Sequence, residues 1–203
     1  MQVEIEPPYL LIKPGVREEE FYALADEDSG WEYLDGRLVM SPASDRHEDL
    51  FRFLLTLLSV VLDERGGGVV RGSRYPMRLD EKWSPEPDLF VVLEERRHLI
   101  KPQRFEGPAD LVVEIASDAD PNLELRDKFP RYEQAGVPEM WLVNRFERTV
   151  LAKVRTPDGS YEARTLSSGR LESRVLPGFW IEVDWLWQDE LPSTLSCLRK
   201  ILG

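Results

Sequence analysis

Cysteine and histidine are scarce in this sequence. Cys197 is the single cysteine among 203 residues, and there are two histidines. One cysteine cannot form a disulfide within the chain, and so few sulfur and imidazole ligands argue against a zinc site or a Cys/His nucleophile. We therefore expect a protein suited to the reducing cytoplasm.

Long apolar runs are also missing. No segment approaches the ~18 uninterrupted apolar residues that a membrane-spanning helix needs. The first residues lack the basic start and apolar stretch of a signal peptide. These absences predict a soluble protein that is not exported and has no membrane partner.

Positive charge is in deficit. The sequence contains 26 Lys and Arg against 38 Asp and Glu, which gives a formal net charge of −12. Affinity for nucleic acids comes largely from Lys and Arg that replace counterions around the phosphates. Any nucleic-acid partner therefore requires a local basic patch or a metal ion that offsets this charge.

The length and composition predict one globular domain over residues 1–203, since 42% hydrophobic and 32% charged residues are ordinary values. Three prolines among residues 1–15 favour an extended N-terminal arm that lies on a partner subunit. Residues 17–28 suit a short helix. The pair Asp35-Gly36 is typical of a two-residue turn and predicts a hairpin over residues 31–41. A long helix is expected from Asp45 to the glycines after position 65. Asp45 and Glu48 resemble a capping box at its start, and the glycines end it.

Two apolar segments each carry a carboxylate where a sheet alone would need none. Residues 111–116 form a nearly continuous β-branched run with Glu114 in its middle. Asp88 precedes a second such run, Leu89–Leu93. An unpaired buried carboxylate costs several kcal/mol. Two carboxylates on adjacent central strands therefore predict a site for a hard cation.

The segment after Glu114 predicts a helix over residues 120–135, kinked at Pro130, and then a strand over residues 140–144. A strand, a crossover helix and a strand imply parallel pairing. Lys128 shares a helix face with Tyr132 and leans towards the sheet. The rest of the chain predicts β-hairpins and a short C-terminal helix, so we expect an α/β fold with a mixed central sheet flanked by helices.

Asp88, Glu114 and Lys128 together suit phosphodiester hydrolysis. The two carboxylates and the backbone carbonyl of Ile115 would hold Mg²⁺ or Mn²⁺, with water completing the coordination. The ammonium group of Lys128 would position the attacking water or neutralise developing charge. We therefore assign metal-ligand roles to Asp88, Glu114 and Ile115, and catalytic roles to Asp88, Glu114 and Lys128.

The order of Asp88, Glu114 and Lys128 resembles the PD-(D/E)XK nuclease superfamily. The resemblance is to the variant whose lysine lies on the helix that follows the strand. The wider pattern is similar to the Uma-type family of bacterial proteins described as restriction-endonuclease-like. The segments that carry the resemblance lie between residues 31 and 187: WEYLDGRLVMSP, His47, PEPDLFVV, DLVVEIAS, RDKFPRYEQAGVPEMWLVN and LPGFWIEV. It implies a restriction-endonuclease-like α/β core, Mg²⁺ dependence and cleavage of DNA. Ala116 occupies the usual lysine position, so activity would depend on Lys128.

Three further residues are candidates with open alternatives. Glu32 matches an acidic position in the hairpin of the family and could bind metal or water, or be an exposed strand residue. His47 could face the site, or be a helix-end histidine bonded to backbone. Tyr132 could contact a phosphate, or pack beside Lys128.

Residues 94–105 form a polar, basic connection that is either a solvated loop or a nucleic-acid patch. Its candidate contacts are Arg96, Arg97, Lys101 and Arg104. Trp180, Trp185 and Trp187 are interpreted as part of a core or of a dimer face rather than as base-stacking residues.

These features support three hypotheses. The first is a metal-dependent DNA endonuclease that needs no organic cofactor. The second is an inactive nuclease-fold protein that binds nucleic acid or another protein, which the charge of −12 and Ala116 favour. The third is a structural homodimer with paired Glu114. Dimerisation itself is expected from the proline-rich arm and the C-terminal tryptophans.

Overall fold

The computed structural model describes residues 8–24, 30–72 and 74–203. The described residues form four α-helices and fourteen strands, in this chain order: β1 (Leu11–Pro14), α1 (Glu18–Leu24), β2 (Glu32–Leu34), β3 (Arg37–Met40), α2 (Asp45–Arg65), β4 (Gly68–Gly72), β5 (Met77–Arg78), β6 (Trp83–Ser84), β7 (Leu89–Leu93), β8 (Phe105–Glu106), β9 (Leu111–Ile115), α3 (Phe129–Ala135), β10 (Glu139–Asn144), β11 (Thr149–Arg155), β12 (Tyr161–Leu166), β13 (Arg170–Glu172), β14 (Trp180–Glu182) and α4 (Thr194–Leu202).

A mixed six-stranded sheet forms the centre, in the order β12-β11-β10-β9-β7-β4. Strands β9 and β10 are parallel, and the other neighbouring pairs are antiparallel. The parallel pair follows from the helical crossover between β9 and β10. The mixed sheet flanked by helices confirms the fold class that the sequence predicts.

The alternation of side chains along β9 decides which residues face which helix. Leu111, Val113 and Ile115 pack in one core with the apolar stripe of α2. Val112 packs on the other face, in a core that includes Phe129 and Tyr132 of α3. Because successive strand residues point to opposite faces, Glu114 lies on the α3 face.

Helix α2 begins at Asp45, as expected, but its cap residue differs from the one that the sequence pattern suggests. Ser44, not Asp45, is the N-cap, and its Oγ accepts a hydrogen bond from the backbone N–H of His47. The helix ends at Gly66, whose φ of 66° is readily adopted by glycine, as the run of glycines predicts.

The N-terminal segment joins a smaller antiparallel sheet in the order β1-β3-β2-β6. The predicted hairpin over residues 31–41 is present as β2 and β3. Residues 11–14 of the predicted N-terminal arm form β1, which pairs with β3 of the same chain, and the contact of the arm with a partner subunit stays a prediction. Residues 1–7, and the end of the helix predicted over residues 17–28, lie outside the described residues.

The predicted helix after Glu114 has an irregular first turn. Glu124–Lys128 is π-helical, and Phe129 N–H donates to the carbonyl five residues earlier, that of Glu124. Pro130 explains this widening, because it has no N–H for the carbonyl of Arg126, four residues earlier. The kink expected at Pro130 is therefore a π-helical turn just before it.

The chain after β12 packs onto the α2 face of the sheet. Trp185 is buried there and meets the ring of Phe53 edge-on, which places it in the core. The buried carboxylate of Glu139 in β10 accepts hydrogen bonds from Trp141 Nε1, Ser173 Oγ and the backbone N–H groups of Arg174 and Val175. These contacts tie residues 173–175 to the sheet.

Candidate active site

A cleft of about 310 Å³ opens at the edge of the sheet where β9 ends and β7 begins. We call it the acidic cleft. Its acidic and basic side chains are Glu32, His47, Glu48, Arg74, Glu86, Asp88, Glu114, Asp118, Glu124 and Lys128.

Asp88 and Glu114 meet at the floor of the acidic cleft. Leu89 lies opposite Val113 in the antiparallel β7–β9 pair, which places the preceding Asp88 beside Glu114. The backbone N–H of Asp88 donates to Glu114 Oε2 at 3.3 Å. The N–H of Ile115 donates to Asp88 Oδ2 at 2.7 Å. Each carboxylate is therefore positioned by a backbone N–H of the neighbouring segment: Glu114 by that of Asp88, and Asp88 by that of Ile115.

Lys128 and Tyr132 cover Glu114 from the helical side. Lys128 Nζ lies 3.3 Å from Glu114 Oε1 and 2.9 Å from Glu32 Oε2, and its side chain is only 3% exposed. The hydroxyl of Tyr132 donates to Glu114 Oε1 at 2.6 Å. The structure thus brings together Glu32, Lys128 and Glu114, and Tyr132 contacts the carboxylate rather than open solvent.

Burial shifts the pKa values of Glu114, Lys128 and Tyr132. Desolvation raises the pKa of Glu114 to about 8, although the charge of Lys128 opposes the rise. Desolvation works against the charged form of Lys128, but Glu114 and Glu32 outweigh it and hold its pKa well above the usual value. Burial and the neighbouring Glu114 raise the pKa of Tyr132 well above its usual value. Lys128 and Tyr132 are therefore hydrogen-bond donors at neutral pH.

Four acidic residues of the cleft, Glu48, Glu86, Asp118 and Glu124, were not among the predicted site residues, and burial raises the pKa of two of them. Burial, followed by the charge of Glu32, raises the pKa of Glu86 to about 8. Burial raises the pKa of Glu124 to about 7, and its buried Oε2 has no hydrogen-bond partner among the described residues. The sequence carried a signal for Glu124, because residues four apart share a helix face and Glu124 precedes Lys128 by four.

His47 faces the site. Its Nε2 lies 3.3 Å from Asp88 Oδ2, while its buried Nδ1 has no hydrogen-bond partner within the described ranges. Burial opposes the charged form, but the hydrogen bond and charge of Asp88 outweigh it and raise the pKa of His47. The imidazole therefore orients one of the two floor carboxylates.

The basic segment of residues 94–105 borders the same strands but at their other end. It follows the last residue of β7, whereas Asp88 precedes the first, and its six residues Glu94–Leu99 form a 3₁₀ helix. Three of its arginines are paired with carboxylates, and Lys101 donates to a backbone carbonyl: Arg96 with Asp110, Arg97 with Glu94, Arg104 with Glu106, and Lys101 with His98. Its role in nucleic-acid binding stays a prediction.

The oxygen ligands of the acidic cleft meet some of the requirements of a hard divalent cation. Within residues 8–24, 30–72 and 74–203, no three His, Cys, Asp or Glu side chains are arranged to hold a metal ion. The acidic cleft nevertheless favours the binding of a cation. Its carboxyl groups are in excess, the pKa values of Glu86, Glu114 and Glu124 are raised, and one oxygen of Glu124 has no hydrogen-bond partner among the described residues. The fit is with two carboxylates completed by a backbone carbonyl and water, not with a cage of three side chains.

Comparison with solved structures defines the class of the fold. The chain is similar to a crystal structure described as a putative nuclease belonging to DUF820 from Anabaena variabilis ATCC 29413, with a TM-score of 0.70 and 15% sequence identity. The match covers 85% of this chain and 97% of the other. The domain therefore has a nuclease-type α/β fold.

The sequence profile of the Uma2 family, described as "Putative restriction endonuclease", matches residues 18–184. The chain belongs to the Uma2 family, which confirms the resemblance seen in the sequence. No curated protein matched the chain in a sequence search. None of the helices in the described part of the chain has the length and apolar character needed to cross a membrane.

Proposed function

We propose that the protein is a metal-dependent endonuclease that hydrolyses phosphodiester bonds in DNA. The observation that carries this proposal is the buried position of Lys128 between Glu32 and Glu114, with Asp88 on the adjoining strand. Ala116 occupies the position where the superfamily usually has a strand lysine. The buried ammonium group of Lys128 lies within reach of the paired carboxylates and would take the place of that lysine.

In the proposed site, Asp88, Glu114 and the carbonyl of Ile115 hold Mg²⁺ or Mn²⁺. The N–H of Ile115 points to Asp88, and in a strand the C=O of one residue points to the same edge as its N–H. A bound divalent ion supplies positive charge and a water of lowered pKa.

The other residues hold these groups in place. Lys128 donates to Glu114 and offsets negative charge on the phosphate, and Glu32 fixes the position of the Lys128 ammonium group. Tyr132 and His47 orient Glu114 and Asp88. Water attacks phosphorus and loses a proton to solvent, the bond from phosphorus to one deoxyribose oxygen breaks, and that leaving oxygen takes up a proton from solvent.

A nicking assay on supercoiled plasmid tests the proposal, with Mg²⁺, Mn²⁺ or chelator. Wild-type protein should nick only with metal, and Glu114→Gln and Lys128→Met should each reduce the rate by at least about 100-fold. Lys153→Met is the matched control, because Lys153 forms a lysine–glutamate pair with Glu133. Circular dichroism establishes that each variant is folded. Equal nicking by all four proteins, or by chelated wild type, would contradict the proposal.

A second candidate function is a nuclease-fold protein that binds nucleic acid or protein without cutting. Ala116 at the usual lysine position and the charge of −12 favour it. Titration calorimetry with Mn²⁺ separates the two functions. A heat of binding that Glu114→Gln abolishes supports the nuclease, and absence of Mn²⁺ binding by the wild-type protein supports the binding module.

A further inference from the structure

A second cleft, of about 300 Å³, is rich in arginine. We call it the arginine cleft. Its walls come from the first turn of α2, from the four-residue loop between β10 and β11, and from the segment after β14. The lining residues are Arg46, Arg145, Arg148, Leu186, Trp187 and Asp189.

The arginine cleft adjoins the acidic cleft. Asp118 lines the acidic cleft, and its carboxylate pairs with Arg145 of the arginine cleft. The other oxygen of Asp118 accepts a 2.6 Å hydrogen bond from Ser44 Oγ, the cap of α2, and Arg46 and His47 follow in the first turn. Because β9 and β10 are parallel, the residues that follow them emerge at the same edge of the sheet. One strand of a polymer can therefore contact both clefts.

The arginine cleft keeps positive charge in a strongly acidic chain. The guanidinium of Arg46 donates to the backbone carbonyls of Leu186, Gln188 and Asp189, at 2.9, 2.6 and 3.1 Å. These bonds fix Arg46 without neutralising it. Arg148 is exposed and forms no ion pair with any residue that the structure describes. Asp189 is the single acidic residue among the lining residues.

The loop that carries Arg145 and Arg148 is held in one conformation. The side-chain oxygen of Asn144 accepts hydrogen bonds from the backbone N–H groups of Phe146 and Glu147, each at 3.1 Å. The guanidinium of Arg145 stacks over the ring of Phe146 at 4.1 Å, and Phe146 is 48% exposed. Fixed cations beside an exposed aromatic ring are the combination that binds phosphates and stacks on unpaired bases.

We infer that the arginine cleft binds the phosphate backbone of the DNA strand whose scissile bond lies in the acidic cleft, with a neighbouring base against Phe146. The inference rests on the proposed DNA substrate and adds the surface that holds it. It also differs from the interpretation of residues 94–105 as the nucleic-acid patch. That segment lies at the opposite end of β7, and its arginines are paired with carboxylates.

Fluorescence anisotropy with a labelled single-stranded oligonucleotide tests the inference, in the Glu114→Gln background so that cleavage does not interfere. Arg148→Asn removes the charge and keeps a residue that tolerates the φ of 51° at this position. Arg97→Asn tests the competing basic segment, and Arg199→Asn, at an exposed position of α4 that lines neither cleft, is the matched control. Arg148→Asn should lower affinity by about 3- to 10-fold at ~0.1 M salt and reduce the slope of log K against log salt by roughly 0.7. Arg97→Asn should cost less affinity than Arg148→Asn, and Arg199→Asn should change neither quantity.

Three results would overturn the inference: no DNA binding by the Glu114→Gln protein, equal binding by the Arg148→Asn variant, or a larger loss from Arg97→Asn. Nicking by otherwise wild-type protein is measured separately. Binding that depends on Arg148 without any nicking refutes the proposed nuclease and leaves the arginine cleft standing. Nicking with unchanged binding by Arg148→Asn refutes the arginine cleft alone.

Discussion

The buried ammonium group of Lys128 is the counterion of two glutamates. Its removal would leave Glu32 and Glu114 without their compensating charge in a desolvated place. Breaking a buried ion pair by removing one partner costs far more than breaking an exposed pair.

We therefore expect Lys128→Met to lower the free energy of unfolding by about 3–5 kcal/mol at pH 8 without metal. Lys153→Met removes a partly exposed pair and should cost less than about 1 kcal/mol. Urea denaturation of both variants measures the difference. Similar costs for the two substitutions would show that Lys128 is not the counterion of the acidic cleft.

Glu124 makes the stability of the metal-free protein depend on pH. Its pKa is about 7 in the folded protein, against an ordinary value of 4.5. The folded state therefore binds this proton more tightly than the unfolded state does. The resulting stabilisation is complete below about pH 4.5 and is lost as the pH rises through about 7.

Glu124→Gln should flatten this part of the pH profile, because the amide stays neutral. Between pH 5 and pH 8, wild-type protein in chelator should lose up to about 3 kcal/mol more unfolding free energy than the variant. Glu162→Gln, on the exposed face of β12, is the control and should follow wild type. Parallel profiles for wild type and Glu124→Gln would contradict the prediction.

At the scale of elements, the π-helical turn Glu124–Lys128 determines which side chains reach the acidic cleft. Both of its end residues are buried, so a single wide turn presents a glutamate and a lysine on the same side. Pro130 supports this turn by removing one α-helical donor. A proline that looks like a defect in the helix thus contributes to the site.

Pro130→Ala should restore that donor and allow a regular α-helix, which would rotate Lys128 away from Glu114. We expect the nicking rate to fall at least about tenfold, while the unfolding free energy stays equal or rises, since proline disfavours a helix interior by about 3 kcal/mol. Gln134→Ala, at an exposed position of the same helix, is the control. Unchanged nicking by Pro130→Ala would show that the widened turn is dispensable.

Sequence periodicity predicted the elements well but not how their ends meet. The strands of the central sheet and the long helix α2 follow from apolar spacing and glycine stops. The antiparallel pairing of β7 with β9 is not encoded locally, so the sequence did not show that Arg96 and its neighbours lie at the end of β9 away from Glu114. The arginine cleft was not predicted from the sequence for a similar reason, since Arg46 and Arg148 are 102 positions apart in the chain.

The convergence of Asp88, Glu114 and Lys128 was predictable, because strand alternation and helix spacing each place their side chains. The part played by Glu86 was not, because its burial comes from the packing of distant segments. The cap of α2 shows the usual error at an element end, where Ser44 and Asp45 are equally good candidates by residue type.

For the whole molecule, the homodimer remains a prediction without an assigned surface. Both features that suggested it are used inside the chain: residues 11–14 pair with β3, and Trp185 packs against Phe53. Sedimentation equilibrium tests the prediction, which expects a mass of twice 23.5 kDa. A mass of 23.5 kDa across a wide concentration range would remove it.

The carboxylate of Glu139 has a consequence for synthesis of the chain. Three of its four hydrogen-bond donors belong to residues 173–175, more than thirty positions later. While the ribosome is still making the chain, this acidic group in the middle of the sheet lacks those donors. The centre of the molecule can therefore reach its final state only after most of the polypeptide has been translated.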